Sequence, residues 1–152
     1  MLKIGKNYTF EDDWSGRQSC LMYFKEDDFA SWSVDIGFAK GNFKGETIAA
    51  SICINPIDTN KNSVQELAGE VFSITTIEES DNREDSFYIY EHEPMVSYKL
   101  EVLEIRNSKA HIKCNGILIV DGYAEPYEQE EFKIDSWIPV IESVQDWEKF
   151  GL

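Results

Sequence analysis

The sequence lacks the features of a membrane-spanning, exported or disulfide-stabilised protein. Its uninterrupted apolar runs, such as ILIV at 117–120, are far too short to span a bilayer. The N-terminal stretch MLKIGKNYTF has neither a long apolar segment nor a cleavage-site pattern, so we expect no signal peptide and a cytoplasmic location. Cys20, Cys53 and Cys114 are odd in number and form no CxxC pair, which predicts buried, unpaired thiols.

Motifs for catalysis and metal binding are also missing. The chain has only two histidines, whereas a catalytic zinc site needs three protein ligands, usually His or Cys. In a strand, Glu91 and Glu93 would share one face and His92 would lie on the other, so the three would not share a metal. A glycosidase has two carboxyl groups that flank the glycosidic bond to be cleaved, and neighbouring carboxylates on one strand do not have this arrangement. We therefore predict no enzyme activity, no metal and no cofactor.

Basic charge is scarce. The chain has 29 acidic residues against 14 Lys and Arg, a net charge of −15. The imbalance is uneven, because residues 77–152 contribute net −11 and residues 1–76 only net −4. Such a surface repels nucleic acid and anionic membranes and attracts cationic partners. We predict no nucleic-acid partner and no membrane partner.

Hydrophobic periodicity predicts a mainly β (α+β) fold in one domain, residues 1–152. Period-two alternation predicts strands such as 32–38, 46–54, 95–106, 109–120 and 132–138. Helical spacing predicts a short internal helix at about 64–70, opened by a capping box from Ser63, and a C-terminal helix at about 143–150. About eight or nine strands with frequent turns favour an antiparallel β-sandwich or a partly closed barrel.

The longest predicted hairpin has three further features. The alternation slips at 102–104, which predicts a β-bulge, and Asn107 and Ser108 form a plausible turn. The tip, 106–113, is locally basic. We interpret those charges as balancing nearby glutamates, with a second contact zone as the alternative.

Three acidic clusters are the candidate binding surface. Residues 78–93 hold seven carboxylates and one arginine, residues 123–131 hold four glutamates and two tyrosines, and residues 26–28 are all acidic. Tyrosine is enriched at interface hot spots, and clustered carboxylates steer cationic partners. We interpret 78–85 as an acidic loop before an aromatic strand at 86–91. The predicted partner-binding residues are Glu78, Glu79, Asp81, Glu84, Asp85, Tyr88, Tyr90, Tyr123, Glu125, Tyr127, Glu128, Glu130 and Glu131.

These clusters, EESDNRED and YAEPYEQEE, occur in a short, acidic, strand-rich domain without a catalytic motif. In this the chain resembles the small cytoplasmic immunity proteins of bacterial contact-dependent inhibition and related polymorphic toxin systems. That class shares no sequence motif and adopts many folds. The resemblance implies a cognate toxin domain as partner, often a basic nuclease, which the immunity protein binds and occludes. The alternatives are a nucleic-acid mimic that inhibits a DNA- or RNA-binding protein, and a β-barrel that binds a small ligand.

Overall fold

The structure, a computed structural model, describes residues 1–152 and is dominated by strands. One α-helix and two 3₁₀ helices accompany them, and none of the three is both long and apolar enough to cross a membrane. The helices are the first 3₁₀ helix (Val64–Leu67), α1 (Ile77–Arg83) and the C-terminal 3₁₀ helix (Val144–Phe150). The strands are β1 (Leu2–Ile4), β2 (Tyr8–Phe10), β3 (Cys20–Glu26), β4 (Phe29–Gly37), β5 (Gly41–Phe43), β6 (Glu46–Ile48), β7 (Ser51–Thr59), β8 (Val71–Ile74), β9 (Ser86–Tyr88), β10 (His92–Glu93), β11 (Ser97–Arg106), β12 (Lys109–Asp121) and β13 (Glu128–Ile141).

One curled sheet forms the body of the protein. Its strand order is β10-β9-β7-β4-β3-β13-β12-β11-β8, and β1 pairs with β13 and β2 alongside this path. The sheet is a mixed half-barrel, because β13 and β3 pair in parallel through Val140–Leu21 and Ile141–Met22 while its other pairings are antiparallel. The strands β5 and β6 form a separate hairpin. The mainly β, partly closed architecture predicted from the sequence is confirmed.

The half-barrel has two ends that are useful for locating surfaces. At the upper end Gly37 of β4 pairs with Ser51 of β7, which pairs with Tyr88 of β9. At the lower end Ala30 of β4 pairs with Thr59 of β7. Because β13 runs parallel to β3, the loop between β12 and β13 also lies at the upper end.

The long hairpin confirms the predicted irregularities. The β11–β12 register shifts between Val102 and Glu104, where the bulge was predicted. Asn107 and Ser108 make the turn with φ values of 53° and 61°. Gly116 is required for close packing, because a Cβ there would lie 2.0 Å from the carbonyl oxygen of Ser97. Both predicted helices form, but as 3₁₀ turns, 64–67 and 144–150.

The predicted capping box at Ser63 is absent from the first 3₁₀ helix. The Ser63 side chain makes no cap hydrogen bond, and the Glu66 carboxylate accepts from the backbone N–H of Asn62. At the C-terminal 3₁₀ helix the Asp146 carboxylate accepts from the backbone N–H groups of Glu142 and Ser143. Those backbone hydrogen bonds lower the pKa of Asp146.

A core of 33 buried residues fills the curve of the sheet. It includes the predicted inward face of β13, on which Phe132, Ile134 and Ile138 are almost fully buried. No disulfide forms. Burial raises the pKa of Cys20 to about 11 and that of Cys53 to about 12, so both thiols are protonated at neutral pH.

The segment interpreted as an acidic loop, 78–85, is mostly helical, and that interpretation was wrong. The Thr76 side chain caps α1 by accepting from the backbone N–H of Glu79 at 3.3 Å. Glu78 and Glu79 lie in the first turn and Arg83 in the last, which suits the helix dipole at both ends. The aromatic strand is also shorter than the predicted 86–91, since β9 ends at Tyr88.

The helix α1 is held between the two edges of the half-barrel by the carboxylate of Asp85, whose side chain is fully buried. This carboxylate accepts from the backbone N–H of Asn55 on β7 at 2.8 Å and from the Tyr98 hydroxyl on β11 at 2.5 Å. Arg83 donates to it at 2.8 Å and packs over the Phe72 ring of β8 at 4.7 Å. Asp85 was predicted to contact a partner, but its burial gives it this structural role instead.

Removing the Asp85 carboxylate should strongly destabilise the protein. In Asp85→Ala the Arg83 charge, the Tyr98 hydroxyl and the Asn55 N–H lose their common acceptor, and we expect the free energy of unfolding to fall by about 3–5 kcal/mol. Tyr98→Phe, which removes one hydrogen bond to a charged group, should cost about 1.5–3 kcal/mol. Urea unfolding followed by circular dichroism measures both.

The matched control is Glu78→Ala, because Glu78 is exposed on α1 and has no ion pair. That variant should change the free energy of unfolding by no more than about 0.5 kcal/mol. Equal stability of Asp85→Ala and the control would contradict the assigned role of Asp85.

Candidate functional site

Two of the three predicted acid clusters, the C-terminal part of 78–93 and the segment 123–131, meet at the upper end of the half-barrel. The Tyr123 hydroxyl, in the β12–β13 loop, donates to the Glu91 carboxylate at 2.7 Å. Residues 32 positions apart are thereby joined into one surface. We call this surface the acid–tyrosine rim and define it as Tyr90, Glu91, Glu93, Asp121, Tyr123, Glu125, Tyr127 and Glu128.

Three tyrosine rings of the rim are open to solvent. Tyr123 is 78% exposed, Tyr127 39% and Tyr90 37%. Tyr90 is supported from below by the buried ring of Phe43, with the ring centroids 5.9 Å apart. Tyr88, also predicted to contact a partner, is half-buried beside the His92 ring at 5.0 Å.

The acids of the rim are poorly neutralised. Its one ion pair joins Glu128 to Lys44 of the β5–β6 hairpin, at 2.5 Å. Asp121 accepts from the backbone N–H of Tyr123 at 2.9 Å, and that bond fixes the start of the loop. Glu125 is exposed and has no cationic partner within 4.0 Å. The rim therefore presents mostly free negative charge beside aromatic rings.

Glu91 and Glu93 form a carboxyl pair, although Glu91 lies in the bend before β10 and not in the strand that the alternation assumed. Loss of water around the Glu93 carboxyl, together with its contact with Glu91 and the nearby Asp121, raises the pKa of Glu93 to about 7. Hydrogen bonds with Glu93 and Tyr123 lower the pKa of Glu91. Glu93 approaches the backbone at Gly122, where a Cβ would lie 2.1 Å from its Oε1. Near pH 7 the Glu93 carboxyl is therefore protonated about half of the time.

The pair does not extend into a metal site. No group of three or more His, Cys, Asp or Glu side chains is arranged to hold a metal ion. His92 is exposed, with its ring beside that of Tyr88. What the arrangement offers is carboxylate acceptors for cationic groups, with tyrosine rings for the apolar parts of the same partner.

The remaining predicted contact residues lie in two other places. Glu78, Glu79, Asp81 and Glu84 are exposed on or just after α1, without ion pairs, and we call them the helix acids. Glu130 and Glu131 lie on β13 beside the β1–β2 turn. The structure therefore places the helix acids on the segment before β9 and the rim on the segments after it.

The basic groups at the tip of the long hairpin contact aromatic and acidic side chains of the chain itself, and the one glutamate among these is Glu104, 3.5 Å from Arg106. Lys109 stacks over the Trp14 ring at 4.5 Å, and Arg106 over Trp137 at 5.1 Å. The Nε2 atom of His111 lies 2.6 Å from an Asp135 carboxylate oxygen. These contacts occupy the basic groups within the chain.

Sequence reasoning missed the rim residue Asp121, and also Phe43 and Lys44, which contact the rim residues Tyr90 and Glu128. Asp121 was interpreted only as the end of a strand, although the Asp-Gly pair before YAEPYEQEE signals a tight start to an acidic loop. Lys44 and Phe43 belong to a hairpin more than 40 residues from the rim segments in the chain. Nothing local in the sequence marks that long-range contact.

Replacing Glu93 with Gln should change how stability depends on pH. Because the folded pKa, about 7, exceeds the unfolded value near 4.5, protonated Glu93 favours folding below pH 4.5, and this contribution is lost as pH rises through 7. Glu93→Gln should therefore be more stable than the parent at pH 8 and close to it at pH 4.5. Urea midpoints at a series of pH values measure the difference.

The control for this variant is Glu78→Gln, which removes one carboxylate at an exposed site. Its urea midpoint should stay parallel to that of the parent between pH 5 and pH 8. A direct titration of the Glu93 carboxyl by NMR should give a midpoint near 7. An ordinary glutamate midpoint would show that the pair is not coupled.

The acid–tyrosine rim is thus the site in which parts of two predicted acid clusters meet beside three exposed tyrosines. Its interpretation depends on geometry, burial and charge. Comparison of the chain with protein-family models, with curated proteins and with solved structures finds no match.

Proposed function

We propose that this protein is a non-enzymatic acidic binding protein, an immunity protein that neutralises a cognate bacterial toxin domain by covering it. The partner domain in this proposal is basic and of the nuclease type. The observation that supports it most directly is the Tyr123–Glu91 hydrogen bond, which gathers two acid clusters and their tyrosines into one rim. The net charge of −15 supports the same partner class.

The rim combines the two contributions that a tight interface with a basic protein needs. Tyrosine supplies a large contact area at low entropic cost, because it has few rotatable bonds. Carboxylates around the rings accelerate encounter with a cationic surface and fix the orientation of docking. With Lys44 already bound to Glu128, the other rim carboxylates are available to the partner.

The mechanism in this proposal is occlusion. A nuclease binds phosphate through Lys, Arg or His, and the rim carboxylates take the place of the phosphates. Close charge pairs in a nuclease–inhibitor interface have coupling energies of about 1.5–7 kcal/mol. A few such pairs around the tyrosines are enough for tight one-to-one binding, and no catalytic group is required.

The helix acids add long-range attraction. Glu78, Asp81 and Glu84 lie on a short helix whose one arginine is occupied by Asp85, so their charge is not cancelled locally. At physiological salt, screening limits such attraction to about 8 Å. The helix acids therefore act while the partner approaches, and they raise the association rate constant. We assign them to steering and the rim to the contact itself.

The two alternative functions differ from the proposed one in different features. A ligand-binding barrel would differ in its interior, and a nucleic-acid mimic would differ in its partner. A small-ligand barrel requires an internal cavity, whereas the curve of this sheet is filled by 33 buried residues. A nucleic-acid mimic would use the same carboxylates against a general DNA- or RNA-binding protein. The identity of the captured partner separates that alternative from the toxin.

The test begins with the reading frames that flank this gene. Each neighbouring product, or its C-terminal domain, is produced in a bacterial host with and without this protein. We expect one of them to arrest growth and this protein to restore it. Purification should then recover a one-to-one complex. Capture of a general nucleic-acid-binding protein, with no neighbouring toxin, would overturn the toxin assignment in favour of the mimic.

Reversing charge on the rim should slow association with the toxin domain. In Glu91→Lys/Glu125→Lys we expect the association rate constant at low salt to fall by about 10-fold or more, because steering carboxylates become repulsive. Tyr123→Ser should instead speed dissociation, since it removes an exposed ring. Biolayer interferometry across a salt series resolves the two rate constants.

The matched control is Glu142→Lys/Glu148→Lys, which makes the same change in net charge at exposed positions of the C-terminal segment. It should slow association much less than the rim variant. Equal slowing by both variants would show that net charge acts without a defined rim. No slowing by either would exclude this surface from the interface.

A further inference from the structure

A second surface lies at the lower end of the half-barrel, on the outer face of the β3–β4 hairpin. Met22, Phe24 and Phe29 are 45%, 50% and 46% exposed. We call these three side chains the hairpin patch. No function assigned above uses them, because the acid–tyrosine rim lies at the opposite end.

The three side chains form one contiguous apolar surface. Phe24 pairs with Ser31 and Glu26 with Phe29 in the β3–β4 register, so Phe24 and Phe29 are diagonal neighbours on one face. Met22 lies two residues before Phe24, on the same face of the strand. Singly exposed apolar residues are normal, but a grouped set bordered by polar residues marks an interaction site.

The patch is also accessible from the side. β13 pairs with β3 only at Leu21 and Met22, so the segment from Tyr23 to Glu26 has a neighbouring strand on the β4 side alone. The β3 edge of the hairpin is therefore open from Tyr23 to Glu26, while β7 pairs along β4 as far as Ala30. A partner can cover the patch without displacing any element of this chain.

The border of the patch is acidic. Glu26, Asp27 and Asp28 form the hairpin tip, and none of them has an ion pair within 4.0 Å. The neighbouring Lys25 directs its Nζ to the carbonyl oxygen of Glu26 at 3.5 Å, not to a carboxylate. An apolar surface beside three free carboxylates is complementary to a chain that presents both apolar and cationic groups.

From this complementarity, we propose that the hairpin patch docks a cationic amphipathic segment of a partner protein. The apolar side chains of the docked segment contact Met22, Phe24 and Phe29. The lysines or arginines of the same segment pair with the carboxylates of the hairpin tip. A second copy of this chain is disfavoured, because it would bring its own acidic tip and its charge of −15 to the same contact. Anionic lipid is repelled for the same reason.

The probe for the test is a synthetic 12-residue peptide that alternates Leu with Lys. Its matched controls alternate Leu with Glu and Ser with Lys. Isothermal titration with this protein at 0.15 M salt should show binding of the Leu–Lys peptide and at least about tenfold weaker binding of both controls, since each lacks one of the two complementary features. Equal binding of Ser–Lys and Leu–Lys peptides would overturn the proposal, because charge alone would suffice.

Variants locate the binding on the patch. Phe24→Ser/Phe29→Ser should weaken the Leu–Lys peptide about tenfold or more. Leu103→Ser removes an apolar side chain of similar exposure, 43%, from the distant β11 bulge and should leave the affinity unchanged. The opposite ranking, or equal effects of the two variants, would overturn the proposal.

Two measurements on the unaltered protein keep the result independent of whether the double variant folds. Amide shifts induced by the Leu–Lys peptide should map to residues 22–31 and not to Tyr90 or Tyr123. Sedimentation velocity should show a monomer without the peptide. Shifts confined to the rim, or a self-associated species that Phe24→Ser alone dissociates, would contradict the proposed occupant. Neither result bears on the toxin assay, which reports on the rim at the other end.

Discussion

The buried carboxylate of Asp85 is the constraint on which the arrangement of this protein depends. The curled sheet ends in two edges that do not pair with each other, β9–β10 on one side and β8 on the other. Asp85 contacts β7 beside the first edge and β11 beside the second, and Arg83 adds β8 through the Phe72 ring. A desolvated charge is tolerated only with several good partners, so these hydrogen bonds fix the distance between the edges.

That constraint also decides which acids are exposed. With Arg83 directed inward to Asp85, α1 turns its other carboxylates to solvent without a base among them. The chain leaves α1 into β9 and then reaches Glu91, where the hydrogen bond from Tyr123 attaches the β12–β13 loop. The acidic helix and the first part of the rim, Tyr90 to Glu93, are thus consecutive parts of one segment that follows a single buried anchor, and the rest of the rim joins it through Tyr123.

Much of the fold was predictable because period-two burial is a local signal. The β11–β12 hairpin, its bulge and its turn follow from the residues themselves. The helix α1 was missed because the β-branched run before it is strand-like, while its signal, Thr76 followed by Glu79, was overlooked. Asp85 could not be separated from its acidic neighbours by sequence, since its partners Asn55 and Tyr98 are distant in the chain. For the same reason the two acid clusters were predicted, but their junction was not.

The tethered hydroxyl of Tyr123 has a consequence for the thermodynamics of recognition. Its ring is 78% exposed, yet the hydroxyl is hydrogen-bonded to Glu91 before anything binds, which restricts the rotamers of the side chain. Part of the rotamer entropy of Tyr123 is therefore lost on folding and not on association. A partner that meets this ring encounters a pre-organised group, so a larger share of the contact energy appears as affinity and as a longer lifetime of the complex.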